Sequence, residues 1–157
     1  MISSGGLFGS VAGLPLHPLV IHASIVLIPL VAIGALVMSY LPSFSRRYGK
    51  MILVLAVVAQ ISLFLAKVTG EALEEILDKD MGNHAELGEI APFVTVPMVA
   101  LIYLRWRLDR LGATVGSAWV RRLTSIALVF ASLVSIAVIV LVGHSGAESV
   151  WGWIDKL

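Results

Sequence analysis

No cysteine occurs in these 157 residues. Disulfides, thiolate metal sites and cysteine nucleophiles are thereby excluded. A metal here would have to be held by His, Glu, Asp, Met or backbone groups. Charge is scarce as well: 13% of residues are charged, against about 25% in an ordinary soluble domain. The first 45 residues contain no Lys or Arg. No basic n-region therefore precedes the first apolar run, which is expected to stay as a spanning helix. What fills the chain instead is hydrocarbon, with 59% hydrophobic residues and a mean hydropathy of +0.98. That balance belongs to a membrane protein.

A bilayer core of about 30 Å takes about 20 apolar residues of helix. Four segments qualify, at about 18–41, 51–77, 84–104 and 120–142. Lipid forces backbone groups to be satisfied internally, so these are helices. The expected fold is all-α: one integral membrane four-helix bundle over residues 1–157, made of two antiparallel hairpins. His17-Pro18 puts proline at a plausible first helical position. "NHAE" at 83–86 has the form of a capping box. "LPSFS" at 41–45 is expected to end the first helix, Pro92 and Pro97 to kink the third, and Gly143 and Gly146 to loosen the end of the fourth.

Eight of the eleven basic residues flank two connections: Arg46, Arg47 and Lys50 in one, and Arg105, Arg107, Arg110, Arg121 and Arg122 in the other. The positive-inside rule assigns both to the cytoplasm and both termini to the outside. Every acid except Asp109 then faces outward: Glu71, Glu74, Glu75, Asp78, Asp80, Glu86, Glu89, Glu148 and Asp155. So do all four histidines, His17, His22, His84 and His144, although they are far apart in sequence. Trp106 and Trp119 on the inner side, with Trp151 and Trp153 on the outer, fit interfacial anchors.

Ionisable groups at the edge of a membrane span are costly and usually face the bundle interior. Imidazole suits Zn, Cu, Fe and Ni, and carboxylates add oxygen ligands. Helix bundles build such sites from inward side chains on different helices. The candidate ligands are His22, Glu71, His84, His144 and Glu148, for a transition-metal ion (Zn, Cu or Fe) or for haem b. For haem, His22 and His84 are the first-choice axial pair. His17 is assigned to the shell behind the ligands, and Lys67, one turn before Glu71, to pairing with it. A faint repeat relates the hairpins, each opening with a histidine and closing on glycine plus acid, "TGEALE" at 69–74 and "HSGAES" at 144–149. On that axis His22 and His84 are equivalent. The plain alternatives give each residue a separate job. His17 is a helix cap, His22 an interhelical contact, His84 a solvated helix start, His144 a membrane exit, and 71–80 a solvated edge.

The stretch "GLPLHPLVIHASIVLIPL" resembles the signature of a bacterial membrane family, domain of unknown function 2231. The residues that carry it are His17-Pro18, His22 and Pro29. Ile21 and the "AS" after His22 depart from the family's usual residues. "TGE" at 69–71, His84 and "GHSGAESVWG" at 143–152 resemble its later segments. The resemblance implies a four-helix protein of the bacterial inner membrane and supplies no activity. Relatives joined to cytochrome-type haem modules point toward redox or metal work. Two functions remain open. One is a small membrane protein binding haem or a metal ion at the outer end, for electron transfer. The other is an accessory subunit of a larger membrane complex, respiratory among the candidates, or a homo-oligomer, with no chemistry of its own. Nucleic-acid binding is not expected, since the arginines fit topology.

Overall fold

A single residue, Leu41, separates the first two helices. In the computed structural model, which describes residues 10–11, 14–78, 81–112 and 118–154, helix α1 spans Leu16–Tyr40 and α2 spans Pro42–Leu77. Helix α3 spans Asn83–Leu111 and α4 spans Ala118–Trp151. Ahead of α1, the backbone of Ser10–Val11 pairs antiparallel with Leu14–Pro15. All four helices are long and apolar enough to cross a membrane. The 36 residues of α2 reach about 54 Å at 1.5 Å per residue, well past a bilayer core of about 30 Å.

Several end signals act differently from their sequence expectation. Pro42 restarts a helix at once, because proline suits a first helical turn. The cap of α3 is Gly82, at φ 52°, and no side chain caps it. The "NHAE" capping box is therefore not formed, and Asn83 is already helical. Pro92 and Pro97 both lie within α3. Gly143 and Gly146 do not loosen α4, which continues to Trp151. At the end of α2, Asp78 adopts a left-handed conformation, φ 46° and ψ 43°, and its N–H donates to Glu74 O. A short polar side chain tolerates that conformation best after glycine. Asp80 and Asp155 lie outside the described residues.

The helices pack in a ring, each against its sequence neighbours, with α1 closing on α4. Buried positions recur every three or four residues, as in Ser24, Ile28, Val31, Ala35 and Met38 of α1. That spacing keeps one stripe facing the bundle axis. The stripe is built from small and hydroxyl side chains, among them Ala56, Ala59, Ala66, Ser132 and Ser135. Lipid supplies no hydrophobic drive between helices, so close backbone approach and interhelical hydrogen bonds hold them together. Gly34 lies where a Cβ would come within 2.7 Å of Ile52 Cδ1. Ser24 and Ser62 hydroxyls meet at 3.0 Å. Gln60 donates to Pro92 O at 2.8 Å and accepts from the Thr95 hydroxyl at 2.9 Å.

The two ends of the bundle differ. At the basic end, Arg105 and Asp109 are buried and paired, Nε to Oδ2, at 2.8 Å. Arg121 approaches the other carboxylate oxygen at 3.6 Å. Arg105 also donates to the Ser125 hydroxyl at 2.5 Å and to Arg121 O at 3.3 Å. Trp106, expected as an interfacial anchor, instead lies on Gly49 of α2, where a Cβ would meet its Cδ1 at 2.4 Å. Trp119, Trp151 and Trp153 are exposed, as anchors require.

Candidate functional site

At the opposite end, the axial stripe of each helix runs out on one residue. In α1, stepping back from Ser24 by three and then four reaches Ile21 and His17. In α3, stepping back from Ala91 reaches Gly88 and His84. In α2 the stripe passes Leu63 and Ala66 and ends on buried Thr69, with half-buried Gly70 next to it. In α4 it passes Val142 and ends on buried Ser145, with half-buried Gly146 next to it. The last layer around the ring therefore sets His17 and His84 against Thr69-Gly70 and Ser145-Gly146.

Each glycine makes room for a ring. A Cβ at Gly70 would stand 3.1 Å from His17 Cε1, and one at Gly146 would stand 2.9 Å from His84 Cε1. The residue before each glycine carries a hydroxyl. Thr69 Oγ1 lies 3.4 Å from His17 Nδ1, and Ser145 Oγ lies 3.2 Å from His84 Nδ1. His17 Nδ1–H donates to Ala66 O at 2.9 Å. The Ser145 hydroxyl already donates to Val142 O at 3.1 Å, so it accepts from His84. Both rings are thus held as the Nδ1–H tautomer. The Nε2 atom of each keeps its lone pair, with no hydrogen bond among the described residues. The two rings face each other edge to face, centroids 6.3 Å apart and planes at 73°.

Beside this pair a cavity of about 620 Å3 opens between the helix ends. Its wall is largely apolar, with Ile21, Ile25, Leu63, Ala91, Val142 and Trp151 contributing. Lys67 is bonded to Glu71 on its rim. Glu74, expected as part of a solvated acidic edge, accepts the Met81 N–H at 2.8 Å and ties down the α2–α3 connection.

The structure sorts the residues singled out from sequence. His17, His22, Lys67, Glu71 and His84 line the cavity, whereas His144 and Glu148 do not. His22 is exposed, and its Nδ1 bonds back to Pro18 O within its own helix. It stands five residues after His17, a turn of about 140° around the helix at 3.6 residues per turn. The ring packed against His84 is that of His17, and His22 lies apart from this pair on the cavity wall. His144 is exposed one position off the α4 stripe, and Glu148 is exposed too. No group of three or more His, Asp or Glu side chains among the described residues is arranged to hold a metal ion. Thr69 and Ser145 were not recognised from sequence. Their signal is a hydroxyl directly before the half-buried glycine, in "TG" and "SG".

No curated protein and no solved structure matches this chain significantly. Residues 13–153 match one family, described as a predicted membrane protein, DUF2231. That match covers nearly all of the four helices, the glycine-cradled histidines among them, and the chain belongs to this family.

Proposed function

We propose that this protein binds haem b between His17 and His84 at the extracytoplasmic end of its bundle, for electron transfer. The observation that carries the reading is the pair of imidazoles with oriented tautomers beside an apolar cavity. A metal–imidazole bond is about 2.0–2.1 Å and a ring centroid lies roughly 1.1 Å behind its nitrogen, so two imidazoles across one ion have centroids roughly 6.3 Å apart. The observed separation is the same, 6.3 Å, but edge to face, so the ring that presents its face has to turn before both Nε2 lone pairs can meet one ion. That distance is also ordinary for an edge-to-face ring pair. The hydrogen bonds favour the ligand reading, because a metal-binding histidine almost always donates its other N–H to a carbonyl or similar acceptor.

Haem is favoured over a bare ion by donor count. An ion held only by protein needs about four ligands, and no such set is assembled among the described residues. A macrocycle brings its own nitrogens and asks the protein for axial ligands only. Gly70 and Gly146 support close approach, since neither places a side chain against the rings. The orientation rests on the basic residues gathered at the other end.

Purification in detergent from haem-supplied cells, followed by a visible spectrum and metal analysis, tests the proposal. A Soret band is expected in the wild type, lost in His17→Ala and His84→Ala and kept in His22→Ala. A folded protein with no Soret band and no uptake of added haem overturns it. Stoichiometric Zn, Cu or Fe without that band replaces it with an ion site.

A further inference from the structure

The two halves of the end layer are nearly equivalent, and the place where they differ is informative. Gly70 and Gly146 occupy matching positions, each behind a hydroxyl and each cradling a histidine. Three residues earlier, one turn deeper on each helix, the matching positions are Lys67 and Gly143. Both line the cavity. Among the described residues, Lys67 is the one Lys or Arg in that wall, so the halves offer similar imidazoles but, among those residues, a single cation.

Lys67 is also placed to change partners. Its side chain is 19% exposed, whereas its partner Glu71 is 54% exposed. Releasing Glu71 to water leaves a solvated carboxylate and costs little. Leaving the Lys67 ammonium unpaired would cost more. The exchange therefore favours an incoming group that is itself a carboxylate. Of the remaining acids of the wall, Glu89 also attracts Lys67, through space and from a solvent-exposed position. Glu74 is engaged by the Met81 N–H, and Glu86 and Glu89 are exposed at the start of α3.

We propose that Lys67 binds the carboxylate edge of a tetrapyrrole held between His17 and His84, and so fixes which way round the ligand sits. This rests on the haem reading above and narrows it. The ligand class becomes a macrocycle with free acid side chains, oriented toward α2 and away from α4.

The test uses the full chain in detergent, titrated with haem b and with its dimethyl ester and followed by Soret absorbance. The wild type is expected to prefer the free acid by roughly ten- to hundredfold, the range of one hydrogen bond to a charged group. Lys67→Gln should remove most of that preference, and Lys67→Arg should retain it. Partition of the ester into detergent cancels between variants. Equal preference in wild type and Lys67→Gln overturns the role of Lys67 while leaving the histidine pair standing. Should Lys67→Gln fail to fold, Lys67→Met takes its place in the same comparison, and a free-acid-to-ester ratio equal to that of the wild type overturns the proposal. Failure of the folded wild type to bind either compound overturns both readings.

Discussion

Both ends of this bundle use glycine to admit a ring from the next helix, and they use it to opposite effect. At the basic end, Gly49 receives Trp106, and the contact would fall on Cδ1, Cγ and Cβ, the root of the side chain. Arg105 and Arg121 close the layer around the one carboxylate of Asp109. At the other end, Gly70 and Gly146 receive the tips of two imidazoles, and a cavity is left beside them. One end has spent its polar groups on each other. The other keeps two ring nitrogens in reserve. The same packing device thus makes a rigid plug in one layer and a receptive layer in the other.

The largest effect should come from breaking the plug. Asp109→Ala leaves the buried Arg105 guanidinium without its carboxylate, at a cost of about 3–5 kcal/mol. Thermal or denaturant unfolding in detergent should register this, and the visible spectrum of the remaining folded protein should be unchanged. A matched pair of glycine substitutions sharpens the contrast. Gly49→Ala is expected to cost about 1–3 kcal/mol, because the stem of Trp106 cannot yield. Gly146→Ala meets only the far edge of His84. The better helix propensity of alanine, about 0.5–1 kcal/mol, offsets much of that contact. Its melting temperature should barely move, while haem affinity should fall about ten- to hundredfold, as when a ligand's supporting contacts are disturbed. If Gly49→Ala proves the milder of the two in unfolding, the distinction between plug and open layer fails. The smallest effect belongs to His144→Ala. This exposed residue lies off the axial stripe and outside the cavity wall, so stability should change by less than about 0.5 kcal/mol and the spectrum not at all.

How much of this was legible beforehand follows from which forces write themselves into sequence. The four spans were readable, because lipid demands long apolar helices and the segments at 18–41, 51–77, 84–104 and 120–142 fall within the observed ones but for Leu41. The gathering of the histidines at one end followed from up-and-down topology. Their pairing did not, although the information was present. Ser24 and His17 are seven residues apart, and the same step links Ala91 to His84. A heptad count from the buried serine would have preferred His17 to His22. Depth in the membrane favours His22 and rotation about the helix favours His17, and the two criteria disagree for residues five apart. Gly146 was misread as a loosening residue because glycine signals both a helix end and a close approach. Only the neighbour's ring distinguishes them. Trp106 was misassigned for a similar reason, since an aromatic near a span boundary serves equally as an anchor or as filler for a glycine notch.

The histidine pair also straddles the two hairpins, with His17 on the first and His84 on the second. Its two cradles are Gly70 and Gly146, so the seat is finished only when residue 146 of 157 has been made. The first hairpin is complete long before that, with an imidazole already resting on its own glycine. Capture of the proposed ligand would therefore be a late event in biosynthesis. A group lodged between the hairpins would bind the assembled ring and not its parts, stabilising by mass action the α1–α4 closure that ends assembly. In that sense the seat is a clasp, fastened last, and its occupancy would record that both halves of the chain have arrived.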